Sequence, residues 1–185
     1  MANSSRYGWA RFETALGFCE ISWNTRAITR IRLPASRDGQ ATAVGKAGDP
    51  ELFEPHPPAW VREATRQIAD HLDGRLQDFA NLPLEMGSLI EFDKRVYQAA
   101  RAVKPGDTIT YGELAAQAGS PGAAQAVGQA LARNPFPIVV PCHRVLAANG
   151  KPGGFSAPGG VDTKAALLAI EGARIPGGYT PSLFK

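Results

Sequence analysis

One short segment, Val140-Pro141-Cys142-His143-Arg144-Val145, limits the possible folds of this chain more than any other. It follows the apolar run from Phe136 to Val140, which predicts a buried strand ending at Pro141, because proline cannot continue a ladder of backbone hydrogen bonds. Beyond the proline the chain can turn, so the side chains of Cys142 and His143 need not point to opposite faces. The neighbouring histidine and arginine favour the nucleophilic thiolate form of cysteine. By spacing alone, Cys142 is as consistent with an inert buried thiol as with a reactive one.

The size of the chain limits its architecture and its compartment. It has 185 residues, of which 44% are hydrophobic and 20% are charged, and this is sufficient for one globular domain or two small ones. No apolar run approaches the length that spans a membrane, and residues 1–6 lack the apolar core of a signal peptide. We therefore expect a cytoplasmic protein in which Cys19 and Cys142 are free thiols, and no role for Cys19 beyond that of an ordinary strand residue.

Neither a metal nor a cofactor is predicted. The histidines His56, His71 and His143 form no close Cys-x-x-Cys or His-x-x-x-His pair of the kind that holds zinc. The net charge of +3 is compatible with a polyanionic partner without requiring one. Because there is no polybasic tract, a nucleic-acid surface would have to be assembled by folding, and scattered solvated charges are the simpler explanation of the composition.

The first part of the chain predicts a small antiparallel sheet followed by a helix. Apolar residues alternate from Arg11 to Leu33, with a hairpin turn expected at Asn24-Thr25. Residues 34–58 are rich in Ala, Gly, Asp and Pro and predict a loop. Apolar residues then recur at helical spacing until Gly74, which predicts a helix. His71 lies near the end of this helix and is expected to be a structural or surface residue. The apolar stripe of this helix consists of Val61, Ala64, Ile68 and Leu72.

Residues 79–88 contain proline and glycine and have no periodicity, which predicts a linker. It would divide the chain into an N-terminal unit of residues 1–85 and a C-terminal unit of residues 86–185. A helix is expected next, from about Phe92 to Val103, where Lys104-Pro105-Gly106 breaks the pattern. The last residues, 176–185, are expected to trail over the surface.

A helix-turn-helix pattern occupies the middle of the C-terminal unit. Thr110 can cap a helix from Tyr111 to about Ala118, a tight turn follows at 119–122, and a second helix runs from Ala123 to Arg133. Small residues dominate the second helix, which fits either a helix-packing seam or an element that enters a nucleic-acid groove. The pattern alone does not distinguish these two interpretations.

Several short motifs occur together in the C-terminal unit. In order, they are Thr110-Tyr111-Gly112-Glu113-Leu114-Ala115, Asn134-Pro135, Pro141-Cys142-His143-Arg144-Val145, Gly153-Gly154-Phe155-Ser156, Gly159-Gly160 and Glu171-Gly172. With this combination the chain resembles the O6-alkylguanine-DNA alkyltransferases from about Phe79 to Gly172, and the Pro-Cys-His-Arg-Val core is highly specific. The N-terminal unit is similar to that family only in its pattern of strands, loop and helix.

The resemblance implies an α/β protein with an N-terminal RNase H-like domain and a mainly helical C-terminal domain that contains the helix-turn-helix. It also implies direct DNA repair. The helix-turn-helix would enter the minor groove, the damaged guanine would be flipped out, and its O6-alkyl group would move irreversibly to Cys142, once per protein molecule. The expected partner is duplex DNA containing alkylated guanine, the expected state is a monomer, and no membrane partner is expected.

The catalytic roles implied by the resemblance fall on five residues. His143 would act through a water as the base for Cys142, and Glu171 would orient that histidine. Without the resemblance, the sequence favours a charged helix end before Gly172 as the explanation of Glu171. Asn134 would brace the turn between the second helix and the active site. Tyr111 matches the tyrosine whose hydroxyl donates a hydrogen bond to the flipped guanine.

The guanine pocket and the DNA contacts match the family less closely. Val145, Phe155 and Ser156 fall where the family lines the guanine pocket, but a tyrosine is usual at Phe155, and the loop from Gly154 to Gly160 is two residues longer than usual. Gln125 stands where the family has an arginine that fills the space of the extruded base. The other residues expected at the DNA are Ala124, Ala126 and Arg133, of which Arg133 could compensate at a phosphate.

Two other functions stay open at this point. A damage sensor would bind alkylated DNA without transfer; the presence of Cys142 argues against it and Gln125 argues weakly for it. A thiol enzyme acting on a small molecule, with DNA binding lost, is the second alternative.

Overall fold

The computed structural model describes residues 7–34 and 57–173. Most of the predicted loop at 34–58, which includes His56, and the predicted surface tail at 176–185 lie outside the described residues. The described part combines a small sheet with five helices and is therefore an α/β protein. No helix within it is long and apolar enough to cross a membrane.

A three-stranded antiparallel sheet begins the described chain, and its strands are β1 (Gly8–Thr14), β2 (Gly17–Trp23) and β3 (Ile28–Arg32). The sequence predicts this sheet correctly, including the turn between β2 and β3. There the side-chain oxygen of Asn24 accepts hydrogen bonds from the amides of Arg26 and Ala27, both at 2.8 Å. An asparagine that binds its own turn in this way stabilises the hairpin.

Helix α1 (Ala59–Leu72) packs on the sheet against β1, as its apolar stripe predicts. Val61, Ala64, Ile68 and Leu72 are all buried in the core. The segment expected to be a linker is bonded to the edge of β3. The amide of Ile28 donates to the carbonyl of Pro83 at 2.9 Å, and the amide of Glu85 donates to the carbonyl of Ile28 at 2.8 Å.

The predicted helices of the C-terminal unit are confirmed to within about two residues, a usual uncertainty of helix ends. They are α2 (Glu91–Arg101), α3 (Tyr111–Gln117) and α4 (Ala124–Ala132), which pack against one another. Thr110 caps α3 in a capping box. Its hydroxyl accepts from the amide of Glu113 at 3.2 Å, and the carboxylate of Glu113 accepts from the amide of Thr110 at 2.8 Å.

The strand predicted at Phe136 to Val140 is wrong, because this segment is a series of turns. Pro135 and Pro137 have no amide hydrogens, so they cannot donate to a strand ladder. Ile138 has a φ of 74°, in the left-handed region, which reverses the chain direction. The amide of Val140 then closes a turn on the carbonyl of Phe136 at 2.8 Å.

Cys142 therefore lies on a short 3-10 turn, Cys142–Arg144, rather than at the end of a strand. The chain leaves this turn through strand β5 (Val145–Leu146), which pairs in parallel with β4 (Ile109–Thr110). Helix α5 (Gly160–Ile170) packs against the turn, and the sequence predicts its end before Gly172 but not its extent. Residues 164–168 of α5 are all buried, so this helix has no polar face there from which a helical period could be read.

Candidate active site

The thiol of Cys142 lies in the core, with 8% of the residue exposed. Asn134 follows α4 directly and holds the turns that carry the cysteine. Its amide nitrogen donates to the carbonyl of Val140 at 2.9 Å and to the Cys142 Sγ at 3.4 Å, while its amide oxygen accepts from the amide of Phe136 at 2.9 Å. Asn134 thus fixes both the backbone around the thiol and the direction of the sulphur.

The electrostatics of this site keep the thiol protonated until a base acts on it. Burial raises the pKa of Cys142, and the hydrogen bond from Asn134 and the positive charge of Lys164 partly oppose that rise. Burial also raises the pKa of Cys19, to about 12, and the hydroxyl of Thr14 lies 3.8 Å from its sulphur. Cys142 therefore has the environment of an activatable nucleophile, and Cys19 does not.

His143 is a candidate base, because one of its two ring nitrogens has no hydrogen-bond partner among the described residues. Its Nε2 is 2.9 Å from the Glu171 Oε1, and both side chains are buried. Its Nδ1 is buried and has no hydrogen-bond partner among the described residues. Because a carboxylate can only accept, the proton of neutral His143 is on Nε2, and Nδ1 carries a lone pair. Burial lowers the pKa of His143 and Glu171 opposes this, so the neutral form with a free lone pair is favoured at neutral pH.

Glu171, directly after α5, accepts four hydrogen bonds. Oε1 accepts from His143 Nε2 and His71 Nε2, each at 2.9 Å, and from Arg144 Nη2 at 2.8 Å. Oε2 accepts from Arg144 Nε at 2.9 Å, and the same guanidinium also donates to the Val103 carbonyl. Burial raises the pKa of Glu171, but the bonds from His143, His71 and Arg144 outweigh it and hold that pKa well below its usual value. The positive charge of Arg144 is therefore paired with Glu171 rather than with the thiol.

Two residues of this site, His71 and Lys164, are not predicted by the sequence. His71 is 1% exposed and belongs to α1, one hundred positions from its partner Glu171. Lys164 in α5 is fully buried; its Nζ donates to the Val145 carbonyl at 2.6 Å and lies 5.8 Å from the centre of the Tyr111 ring. Burial lowers the pKa of Lys164 to about 8. The available signal for His71 was its place three residues after Ile68 on the apolar stripe of α1, where a polar side chain needs a buried partner.

Tyr111 begins α3 and faces the site with its hydroxyl. Gly153 has a φ of 68°, which favours glycine, and a β-carbon there would crowd the Tyr111 hydroxyl oxygen at 3.3 Å. Burial raises the pKa of Tyr111, and the negative charge of an ionised Cys142 raises it further. The hydroxyl has no hydrogen-bond partner among the described residues and is available as a donor to a ligand.

A cavity of about 270 Å³ leads to the sulphur of Cys142. Its walls come from the segment 132–137 after α4, the loop 155–158 and strand β3. Of the predicted site residues, it is lined by Cys142, Asn134, Arg133, Phe155 and Ser156. Val145 is fully buried and does not line this cavity; its carbonyl accepts a hydrogen bond from Lys164.

Of the predicted DNA contacts, Gln125, Ala124 and Ala126 on α4 do not line this cavity, whereas Arg133, which follows α4, does. Gln125 is exposed, and Ala124 and Ala126 are half-buried. Arg133 donates from Nη2 to both carboxylate oxygens of the buried Asp93, at 3.1 and 3.2 Å, and its side chain stays 54% exposed. Within residues 7–34 and 57–173 there is no cluster of three potential metal ligands.

Known proteins are similar to this chain in sequence. Residues 91–173 match the family described as "6-O-methylguanine DNA methyltransferase, DNA binding domain". A methylated-DNA–protein-cysteine methyltransferase of Mycolicibacterium paratuberculosis is 41% identical over 137 residues, covering 70% of this chain and 80% of the relative. A relative of the same name from Methanosarcina acetivorans is 43% identical over 123 residues, covering 63% of this chain and 76% of the relative.

Solved structures agree with these sequence matches. Mycobacterium tuberculosis OGT in complex with DNA superposes with a TM-score of 0.71 at 32% identity, covering 92% of this chain and 96% of the other. The O6-methylguanine-DNA methyltransferase of Pyrococcus kodakaraensis superposes with a TM-score of 0.67 at 28% identity, covering 90% of this chain and 99% of the other. The resemblance seen in the sequence motifs is confirmed, and the chain belongs to the methylated-DNA–protein-cysteine methyltransferase family.

Proposed function

We propose that this protein repairs DNA directly, by transferring an alkyl group from the O6 atom of guanine in duplex DNA to Cys142, irreversibly and once per molecule. The observation that carries the proposal is the pairing, on one turn, of a buried thiol with a histidine whose Nδ1 lone pair is unpartnered. The ionised Glu171 holds the other nitrogen of that histidine. The names of the relatives from Mycolicibacterium and Methanosarcina support the same reaction.

The reaction begins with removal of the thiol proton. Burial keeps Cys142 protonated, so a base is needed, and His143 Nδ1 takes the proton through one bridging water. In the resulting imidazolium, Nε2 keeps its proton and donates it in a hydrogen bond to Glu171. The negative charge of that carboxylate stabilises the imidazolium. Asn134 and Lys164 stabilise the thiolate as it forms.

The thiolate then attacks the alkyl carbon. A carbon–sulphur bond forms as the carbon–O6 bond breaks, and the electron pair of that bond stays on guanine, which leaves as an anion until it takes up a proton. The unpartnered hydroxyl of Tyr111 donates a hydrogen bond to that base. The ammonium of Lys164, which lies over the Tyr111 ring, stabilises the negative charge on the base. The product thioether has no chemical route back to the thiol in this site, which makes the reaction a single turnover.

DNA binding is assigned to α3 and α4 as a helix-turn-helix that enters the minor groove. The similarity of this chain to Mycobacterium tuberculosis OGT, whose structure is solved in complex with DNA, supports this assignment. Gln125 is exposed near the start of α4, where it can fill the space left by an extruded guanine, while Ala124 and Ala126 allow a close approach of the helix. Arg133 is held by Asp93 with about half of its side chain exposed, which leaves it able to contact a phosphate.

The extruded guanine is assigned to the cavity next to Cys142. Phe155 supplies an apolar face and Ser156 a hydroxyl at its wall. Val145, whose carbonyl holds Lys164, is assigned to the same pocket by its place in the family motif. The phenylalanine keeps the aromatic surface of the usual tyrosine and lacks its hydroxyl, so the base is held here by stacking and by backbone groups.

The proposal extends to the architecture and the state of the protein. The sheet with α1 belongs to an RNase H-like N-terminal domain, residues 1–85, and the helical residues 86–185 form the DNA-binding and alkyl-accepting domain. The family match covers residues 91–173, all within the proposed C-terminal domain, and supports treating that domain as a unit. The protein acts as a monomer on duplex DNA in the cytoplasm, where a reducing environment keeps Cys142 a thiol.

Incubation with excess duplex DNA carrying a single O6-methylguanine tests this function. We expect the amount of restored guanine to equal the amount of protein, and the intact mass of the protein to increase by one methyl group. Unmodified duplex of the same sequence is the matched control and should produce no mass change.

The other outcomes identify the alternatives. Binding to the damaged duplex without a mass gain, in protein whose thiol is shown to be intact, would replace repair with damage sensing. Neither binding nor transfer would favour a thiol enzyme that acts on a small molecule.

A further inference from the structure

His71 connects helix α1 to the active site through one buried contact. Its Nε2 is 2.9 Å from the Glu171 Oε1, the same oxygen that His143 Nε2 contacts at 2.9 Å. The side chains of His71 and Glu171 are each only 1% exposed, so water does not compete for this bond. Two histidines thus share one carboxylate oxygen, one from the sheet-bearing part of the chain and one beside the nucleophile.

The protonation of His71 follows from its other neighbour. Its Nδ1 accepts a hydrogen bond from the amide of Gln77 at 3.1 Å, so Nδ1 carries a lone pair. The single proton of a neutral ring is then on Nε2, where it is donated to Glu171. A second proton on the ring would face the Gln77 amide hydrogen, so this geometry favours a neutral His71.

A donor at this place changes what Glu171 does to His143. Each hydrogen bond to Oε1 draws on the same negative charge, so the carboxylate stabilises an imidazolium less when His71 also binds it. The bond also stops the carboxylate from rotating, and so keeps His143 Nδ1 directed at one position. Arg144 has a similar effect from the other side of Glu171.

We propose that His71 is a positioning residue of alkyl transfer, which orients Glu171 and limits the basicity of His143. This inference rests on the proposed function. His71 does not touch the reacting atoms; it acts through Glu171 on the base. The effect would be absent if His71 only filled space between α1 and the C-terminal part of the chain.

The groups that face His143 determine how the pH dependence of the transfer rate changes when His71 is removed. Burial lowers the pKa of His143 and the charge of Arg144 lowers it further, whereas Glu171 opposes both effects. The hydrogen bond that His71 donates to the Glu171 Oε1 weakens that opposition. Cys142 is the adjoining titratable group on the same turn, and its own pKa is raised by burial. Removal of His71 therefore raises the pKa of His143, and the acidic limb of the rate profile, which reports loss of the proton from His143, moves to higher pH.

The test uses single-turnover transfer from O6-methylguanine duplex over a range of pH with the full-length His71→Phe variant. We expect the limiting rate at neutral pH to fall by about tenfold, as for loss of one hydrogen bond to a charged group, and the acidic limb to shift upward. The duplex concentration that gives half the limiting rate should not change, because His71 is buried and cannot contact DNA.

Two variants separate positioning from packing. His71→Gln keeps an amide donor for Glu171 and should restore most of the rate and the original pH profile. Ile68→Val removes one methylene from the same buried face of α1 without touching Glu171, and should lower the unfolding temperature while leaving the profile in place. A His71→Phe profile that coincides with that of the wild type, or with that of Ile68→Val, would overturn the proposal.

A measurement on the unchanged protein covers the case in which His71→Phe does not fold. Nitrogen-resolved NMR of the imidazoles should show His71 and His143 each protonated on Nε2 and not on Nδ1 at neutral pH. A His71 that is charged, or protonated on Nδ1, would contradict the inference. Failure of the wild type to transfer methyl would instead refute the proposed function, so the two failures are distinguishable.

Discussion

Replacing Glu171 by glutamine would remove a buried charge on which three side chains converge. The glutamine oxygen can still accept from some of the donors on Oε1, but its amide group would replace the other oxygen and face the donor of Arg144. Arg144 would then be a buried cation without an anionic partner. His143 would lose the charge that stabilises its protonated form during the reaction.

The burial and the ion pair of Glu171 set the expected loss of folding stability in this variant. Breaking a buried ion pair from one side typically costs about 3–5 kcal/mol, less than the stability of most domains of about 5–15 kcal/mol, so the variant should still fold at low temperature. Because the pKa of Glu171 is lower in the folded state, its contribution is complete above its ordinary value of 4.5 and declines as pH falls below it. The stability difference between wild type and variant should therefore shrink by about 1.4 kcal/mol per pH unit below that value.

Urea unfolding of the wild type and Glu171→Gln at neutral pH and at several pH values below 4.5 measures this difference. Glu13→Gln is the matched control for the loss of one carboxylate, because Glu13 is exposed on β1, away from the site. The single-turnover transfer rate should fall by about a hundredfold or more, the range of a lost general base. A stability difference that is constant with pH, or a rate within a factor of about two of the wild type, would refute the assigned roles of Glu171.

Three further substitutions test separate parts of the site. Asn134→Ala removes the bond to the sulphur, so the pKa of the Cys142 thiol, measured by its reaction with iodoacetamide against pH, should rise and transfer should slow by about tenfold. Lys164→Met removes the buried cation that lowers the same pKa and should also move that titration upward; an unchanged titration would exclude the charge effect. Gln125→Arg adds a cation to the exposed face of α4, so it should tighten duplex binding, most strongly at low salt, and speed transfer. Unchanged kinetics in that variant would contradict a role for Gln125 in base extrusion.

Local patterns predicted much of the scaffold. The alternation in residues 11–33, the apolar stripe of α1 and the capping signal at Thr110 each depend on neighbouring residues, and each is confirmed. The strand expected at Phe136 to Val140 does not form, because the prolines in and beside the run outweigh its hydrophobicity. Only the end of α5 can be predicted, because its buried stretch lacks the polar face that reveals a helical period.

The site itself was predictable where a motif carried it and not where folding assembled it. Matched positions indicated that Asn134, Cys142, His143 and Glu171 act together, and the structure brings these four together. His71 joins them from one hundred positions away in the chain, and no local period reports such a distance. A buried polar side chain on an apolar stripe is the general sign of this kind of partner, because its burial without one would be costly.

Peptide mapping of the protein after reaction with O6-methylguanine duplex tests the central claim most directly. Cys142 and Cys19 provide an internal comparison, since both are free thiols and only Cys142 shares a turn with His143, whose Nδ1 is unpartnered. We predict one methyl group on the sulphur of Cys142, none on Cys19, and no methylated peptide from Cys142→Ala. A methyl group on Cys19 or on any other residue, or transfer that persists in Cys142→Ala, would contradict the assignment of Cys142 as the alkyl acceptor.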